Sequence, residues 1–371
     1  MPSPATSRLP SVDALRGLAI AAMIVVNNPG DRRFVYPQLL HAHWHGLTLA
    51  DVVFPLFLFL VGVCVALAIN PDKARDAKGR FSLWRKILPR AAVLFALGLG
   101  ENAYLRLSFE ALRIPGVLQR IAVVYLAAAW LQSRLSSRSL AVVASATLLG
   151  YWLLLAAVPV PGHGHPSLAM EPNLQGWLDQ LVLGRHIWKF GTTWDPEGVL
   201  STLPAIALGF IGVLAGRWLR RGSARPGRAG LFGLLMAAIG LAWNAVFPFN
   251  KSLCTSSFVL FTGGLGLLLL AVAHAVLDGR PPAAWARPLC ILGRNPLFLY
   301  VTASFLAASL RHIRVLGATG QPLSLQKAIY FDVFHFLPPG PFPSLCWGLL
   351  MLAVMFLLAL ALHARGIAIR L

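Results

Sequence analysis

The sequence predicts an all-α polytopic integral membrane protein, a bundle of about ten transmembrane helices. Three observations carry this. Of 371 residues, 57% are hydrophobic and 12% are charged, against about 25% charged in a soluble domain. The mean hydropathy is +0.69. Apolar runs near the length that crosses a bilayer, about 20 residues, recur from end to end. No long polar stretch separates these runs, so residues 1–371 read as a single membrane domain.

The elements follow in order. Spans are predicted at 12–28, 49–70, 85–103, 116–133, 138–158, 198–217, 228–248, 254–277, 288–310 and 344–364. The second begins with Thr48 near its N-cap and Asp51 in its first turn, where a carboxylate suits the helix dipole. Glu101-Asn102 ends the third, and Gln119-Arg120 sits early in the fourth. Pro196-Glu197 introduces the sixth as a turn followed by an N-terminal charge. Arg294-Asn295-Pro296 interrupts the ninth. The segment 324–337 is apolar but short and contains Asp332 and His335. It is expected as a half-helix or interfacial helix, which would bring the count to eleven. Two long connections, about 159–197 and 311–343, are rich in Gly, Pro and aromatics. Long ordered loops of this kind often cap a substrate cavity.

Charge sets the orientation. Cytoplasmic loops of membrane proteins carry the excess of Lys and Arg. With the N-terminus inside, the inner loops hold Lys73, Arg75, Lys78, Arg80, Arg85 and Lys86, then Arg134 and Arg138, then Arg217, Arg220, Arg221, Arg225 and Arg228, then Arg280 and Arg287. Arg365 and Arg370 follow in the tail. Of the 32 Lys and Arg, 21 then fall inside and 11 outside. Both termini are therefore expected in the cytoplasm. The net charge of +19 reads as topology signal plus contact with lipid headgroups, and nucleic-acid binding is set aside. The four cysteines, Cys64, Cys254, Cys290 and Cys346, are far apart and lie in or beside apolar runs. They read as buried free thiols rather than a metal or disulfide framework.

The most informative segment runs from Asn27 to Gly62. A helix ends at Asn27-Asn28, a Pro-Gly loop follows, and then comes His41-Ala42-His43-Trp44-His45-Gly46. Three alternating histidines allow three readings: a polar outer loop, a shared metal ion, or general acid–base catalysis by one of them. No carboxylate or cysteine sits at ligand spacing, so no metal is expected. Among the polar residues at or within spans, Asp13 and Arg16 are one helical turn apart and can pair. Arg120 and Arg294 are cavity candidates, because a charge inside a span is costly unless paired or solvated. Trp194-Asp195-Pro196-Glu197-Gly198 places two carboxylates at a membrane mouth, where they could hold an amine or hydroxyls, or simply form a turn.

In order along nearly the whole chain stand Ser11-Val12-Asp13-Ala14-Leu15-Arg16-Gly17, the Val26-Asn27 helix end, and His41-Ala42 with Trp44 and Gly46-Leu47-Thr48 through Pro55. Arg113 through Ala122, Asp195-Pro196-Glu197-Gly198 with Leu200 through Ile206, Phe247-Pro248 with Asn250-Lys251, and Thr255 through Leu260 complete the set. In these blocks the sequence resembles the heparan-α-glucosaminide N-acetyltransferase-like family of transmembrane acyltransferases, including its bacterial inner-membrane members. The resemblance implies a transferase, an acetyl-CoA-dependent acyltransferase, that moves an acetyl group from cytoplasmic acetyl-CoA to an amino sugar on the periplasmic side. It implies His41 and Asn27 as catalytic residues, and it suggests a homodimer. Trp44, His45, Asp51, Asp195, Glu197 and Arg120 are the candidate substrate contacts, and Arg16, Arg294 and Asn295 the candidate acetyl-CoA contacts. The loop between Asn27 and His41 reads Pro29-Gly30-Asp31 rather than a glycine run, and position 45 is His where the family usually has Asn. These departures bear on the acceptor. Expected partners are acetyl-CoA, an amino sugar or glycan, and membrane lipid. The rival readings are an amino-sugar transporter and an O-acyltransferase of a cell-envelope polysaccharide.

Overall fold

The computed structural model describes residues 9–70, 76–107, 109–188, 190, 193–221, 225–279, 283–316 and 321–369. Of the basic residues that set the orientation, Lys73, Arg75, Arg280 and Arg370 lie outside the described residues.

Every predicted span is helical. The helices are α1 (Pro10–Asn27), α2 (Leu49–Ala68), α3 (Ala77–Arg106), α4 (Val117–Gln132), α5 (Ser137–Ala157), α6 (Leu174–Leu183), α7 (Thr202–Arg220), α8 (Pro226–Trp243) and α9 (Ser256–Leu277). They continue with α10 (Arg287–Leu292), α11 (Pro296–His312), α12 (Leu325–Phe334) and α13 (Pro341–Ala364). Seven of them, α1, α2, α5, α7, α8, α9 and α13, are long and apolar enough to cross a membrane. The region predicted as the ninth span is α10 and α11, bent by 68° at the Arg294-Asn295-Pro296 break, and makes an eighth if taken as one span. Two predicted spans fall short for physical reasons. α3 is 30 residues long, but Lys78, Arg80, Arg85, Lys86 and Arg90 load its first half with charge. α4 has 16 residues. The protein is a multi-pass, all-α membrane protein.

Two elements in the long connections were not predicted. α6 is a 10-residue helix capped by Asn173, whose side chain accepts the Gly176 N–H. A short antiparallel hairpin pairs β1 (Arg314–Leu316) with β2 (Pro322–Ser324). α12 realises the short apolar segment at 324–337, with Ser324 capping it through the Lys327 N–H. The sixth span begins at Thr202 rather than 198, because residues 198–201 form turns that Ser201 and Thr202 tie back to the Gly198 carbonyl.

The chain divides into two compact units. The first comprises residues 1–41, 48–54 and 272–371. In it α1 packs against α10, α11 and α13, around a core of Ala14, Leu277 and Ala286. Asp278 receives the Ser11 N–H and hydroxyl at 2.9 and 2.6 Å, a carboxylate at a helix N-terminus, where the dipole favours it.

The second unit comprises residues 42–47 and 55–271. α4 packs on α3 and α7, and α5 on α7. Side chains such as Ile87, Leu140, Phe210 and Val213 fill the space between them. α2 and α7 cross at backbone contact: a Cβ on Gly62 would lie 2.0 Å from the Gly209 carbonyl oxygen, and one on Gly212 would lie 2.0 Å from that of Phe59. Small residues let helices approach in this way where lipid gives no hydrophobic drive to pack them. α8 carries large apolar side chains outward, among them Leu231, Phe232, Leu241 and Ile239, each more than half exposed. That is the face a membrane span offers to lipid.

Candidate functional site

In the first unit, the loop after α1 is fastened to α13. Asn28 is buried and its amide donates to the Ile24 carbonyl at 2.8 Å. The Gly30 N–H donates to the Ser344 carbonyl at 3.1 Å. Ser344 Oγ accepts the Asp31 N–H at 3.1 Å and donates to the Asp31 carbonyl at 3.0 Å. A Cβ on Gly30 would lie 2.4 Å from the Tyr330 ring and 2.9 Å from Trp347 Cβ, so only glycine fits. Asp31 pairs with Arg33, whose hydrogen bond holds its carboxyl below the usual range. The loop starts at Asn27, the last residue of α1, whose side chain is exposed.

The same loop leads to His41. Its ring is 44% exposed, and Nδ1 lies 2.8 Å from Oδ1 of Asp51, which is fully buried. Local sequence explains the placement. Thr48 and Asp51 stand at capping-box spacing: Asp51 Oδ2 reaches back to the Thr48 N–H at 3.1 Å and the Thr48 hydroxyl at 3.0 Å. That hydroxyl also lies 2.7 Å from the Leu40 carbonyl. The start of α2 therefore fixes both the carboxylate and the residue before His41. Such a contact selects the tautomer with its proton on Nδ1, which leaves the basic lone pair on Nε2. Asp51, expected as a substrate contact, is thus placed as the partner of His41 and has no exposed surface.

In the second unit, residues 42–47 meet the loops that follow α5 and α8. Trp44 Nε1–H donates to the Leu168 carbonyl at 2.8 Å, and the Gly46 N–H donates to that of Phe249 at 2.8 Å. His45 lies 3.4 Å from the buried Asn250 amide. Trp44 meets the buried Trp194 in a tilted contact, ring centres 4.9 Å apart, and Trp188 lies 5.7 Å from Trp194.

Asp195 and Glu197, expected as substrate contacts, are engaged by a cation. Arg113 binds Asp195 in a two-pronged contact, Nε to Oδ2 at 2.8 Å and Nη2 to Oδ1 at 2.6 Å, and also binds Glu197. Asp195 is fully buried and Glu197 is 8% exposed. Burial alone would raise the Glu197 carboxyl, but Arg113, Arg120 and Lys251 hold it below its usual range. Asn102 positions Arg113 by donating to the Arg113 and Pro115 carbonyls at 2.8 and 2.9 Å. Arg120 donates to Ser201 Oγ at 2.6 Å, while its buried Nε has no hydrogen-bond partner among the described residues. Beneath them, the fully buried Asp179 accepts the N–H groups of Asp195 and Val199 at 3.1 and 2.8 Å. Burial pushes its carboxyl up to about 6 against those hydrogen bonds.

The three residues proposed for acetyl-CoA are engaged within the fold. Arg16 pairs with Asp13 at 3.3 Å. Arg294 contacts His363. Asn295 donates to the Ile367 carbonyl at 3.2 Å and accepts the Ile369 N–H at 2.7 Å, which ties down the tail. Nothing in the sequence marks Arg113 or Asp179, because the groups they bind stand 82 and 16–20 positions along the chain. Among the described residues, no group of three His, Cys, Asp or Glu is placed to hold a metal ion.

Fold and site together define a multi-pass membrane protein that presents, at the entry to α2, an exposed histidine oriented by a buried carboxylate. Residues 8–243 match the family described as heparan-alpha-glucosaminide N-acetyltransferase, catalytic. The chain belongs to that family. It is 31% identical to the heparan-alpha-glucosaminide N-acetyltransferase of Homo sapiens over 352 residues, which is 79% of this chain and 52% of that protein. To the protein of the same name from Mus musculus it is 30% identical over 354 residues, 80% of this chain and 53% of that protein. The chain thus spans about half the length of the curated relatives it matches.

Proposed function

We propose that this chain transfers an acetyl group from acetyl-CoA to the amine of an amino sugar across the membrane in which it sits, the inner membrane of a bacterial cell. The observation that carries this reading is the His41–Asp51 pair within a chain of this family. Asp51 orients the ring, and Nε2 of His41 takes a proton from the acceptor amine as its nitrogen attacks the thioester carbonyl. The C–S bond breaks, the C–N bond forms, and the proton passes from His41 to the departing thiolate, giving CoA. The exposed Asn27 amide is assigned to the developing oxyanion. One such donor is typically worth about 10²–10³ in rate.

Acetyl-CoA is anionic, and basic residues of the loops that the positive-inside rule assigns to the cytoplasm, outside the α7–α8 loop, are taken to meet its phosphates, so the donor is taken to bind from that side. Trp44, partly exposed and three residues along the chain from His41, is assigned to the acceptor's sugar ring. The enzyme is taken to work as a homodimer.

The test is CoA release by purified protein given acetyl-CoA, with and without glucosamine, for wild type and His41→Ala. Glucosamine-stimulated release that His41→Ala abolishes is the expected result. Release unaffected by His41→Ala would reject the assigned base. Absence of both release and acetyl-CoA binding would reject the transferase.

A further inference from the structure

A cleft of about 720 Å³ opens between α5, α7, α8 and α9 of the second unit. Its walls are apolar, with Leu148 of α5, Leu214 of α7 and Phe232 of α8 among them. One end is rimmed by Arg221, Arg225 and Arg228. All three are exposed, and among the described residues none has an acidic partner. Their neighbours show what this end of the bundle does with cations it needs for itself. Arg217 donates to the Gln132 carbonyl at 3.1 Å, and Arg220 to that of Ala66 at 3.0 Å, where each meets the C-terminal end of a helix. The remaining three are surplus to the fold. They stand where α7 ends and α8 begins, one of the basic loops that the positive-inside rule assigns to the cytoplasmic face.

We propose that this cleft is a binding site for an anionic phospholipid of the inner leaflet, with an acyl chain along the apolar walls and the phosphate at Arg221, Arg225 and Arg228. Two observations fix the occupant. One wall is α8, which turns Leu231, Phe232 and Leu241 outward to lipid, so an acyl chain enters sideways from the bilayer. The rim carries only positive charge, and basic pockets between helices at this level take anionic headgroups. Acetyl-CoA fits less well, because its adenosine would have to lie against hydrocarbon walls. The site uses none of the residues assigned to acetyl transfer and does not depend on that reading.

The experiment is native mass spectrometry of detergent-purified, delipidated protein titrated with phosphatidylglycerol or phosphatidylcholine. Inorganic phosphate and CoA serve as competitors. Wild type is expected to bind phosphatidylglycerol in preference to phosphatidylcholine. The triple variant Arg221→Gln, Arg225→Gln, Arg228→Gln should lose roughly 100-fold in phosphatidylglycerol affinity, from the attraction each basic residue contributes near a headgroup. Phosphatidylcholine binding should not change. Ser145→Phe, at an exposed position that lines the cleft, should weaken binding with every arginine in place. That variant keeps the test decisive if the triple variant fails to fold. Equal binding of the two lipids, wild-type affinity in either variant, or displacement by phosphate or CoA would each overturn the proposal.

Discussion

Replacing Arg113 by Met tests whether the buried ion cluster of the second unit is scaffold. The change removes the cation that meets Asp195 in two hydrogen bonds and Glu197 in a third. Asp195 is fully buried and Glu197 nearly so, so neither carboxylate can turn to water. Breaking a buried pair by deleting one partner costs about 3–5 kcal/mol, because a charge is left uncompensated. Arg120 and Lys251, which also lower the Glu197 carboxyl, place the expectation at the lower end of that range. At about 2–4 °C per kcal/mol for chains of 150–250 residues, the thermal midpoint in detergent at pH 7 should fall by at least roughly 5 °C. The pH dependence makes the test sharper. In the wild type the Glu197 carboxyl is held below its ordinary value of 4.5, so its contribution is present above that pH and is lost as pH falls through the folded value. In the variant the stranded carboxylate gains by taking up a proton. The gap between the two proteins should therefore narrow as pH falls from 7 towards 4. Adding Asp195→Asn and Glu197→Gln to the variant should recover much of the loss. An unchanged midpoint at pH 7, or a gap that does not vary with pH, would refute the argument.

Three further outcomes are expected. Asp51→Asn should lower the turnover of acetyl transfer by about 10²–10⁴-fold with little change in KM, since an amide can hold His41 in the wrong tautomer; full activity in the CoA-release assay would reject the pairing. Asp179 has its carboxyl raised from an ordinary 3.8 to about 6, so the folded state binds the extra proton and stability falls as pH rises from about 4 to 6. Subtracting the midpoint-versus-pH curve of Asp179→Asn should expose that slope, worth roughly 3 kcal/mol at most, and parallel curves would contradict it. Gly30→Ala must push the Tyr330 ring or Trp347 aside, at about 1–3 kcal/mol for overpacking. Because the same loop begins at Asn27, catalytic rate should fall along with the midpoint, and a fully active, equally stable variant would show that the loop does not position it.

What the sequence made legible follows from how far each signal reaches. Apolar length reports a span directly, so α1, α2, α5, α7, α8, α9 and α13 stand where hydropathy places them. The α10–α11 break was legible because Pro296 cannot continue a helix through its missing N–H. α6 escaped because 10 residues inside a Gly- and Pro-rich loop leave too short a period to recognise. The His41–Asp51 contact lies within one local segment. Thr48 and Asp51 gave the cap, and only the direction of His41 was missing. The contacts from Arg113 to Asp195 and Glu197 cross more than 80 positions. No spacing rule reaches that far, so the sequence, which left these carboxylates open as a substrate mouth or a turn, did not show that they partner a cation. Asn27 and Asn28 differ by one step around the helix end, which decides that Asn28 turns back to Ile24 while Asn27 is exposed.

Burial sorts the polar residues into two working classes. Charges taken out of water must be met by fixed partners or they cost several kcal/mol each. Arg113, Asp195 and Glu197 meet this condition with one another, and Asp51 meets it with His41 and Thr48. A group that exchanges a proton with an arriving molecule must instead be reachable. Among the residues singled out from the sequence, His41, Asn27 and His45 are exposed and Trp44 is partly so. Asp51 joins the classes, since a sealed carboxylate acts on the solvent side only through the imidazole it holds. The two classes separate in experiment. Substitutions at Arg113, Asp195 or Glu197 should lower the thermal midpoint before they touch chemistry. Substitutions at His41 or Asn27 should remove chemistry while the midpoint stays near that of the wild type. A His41→Ala protein that unfolds as readily as Arg113→Met would place His41 in the scaffold and leave the reaction without its base.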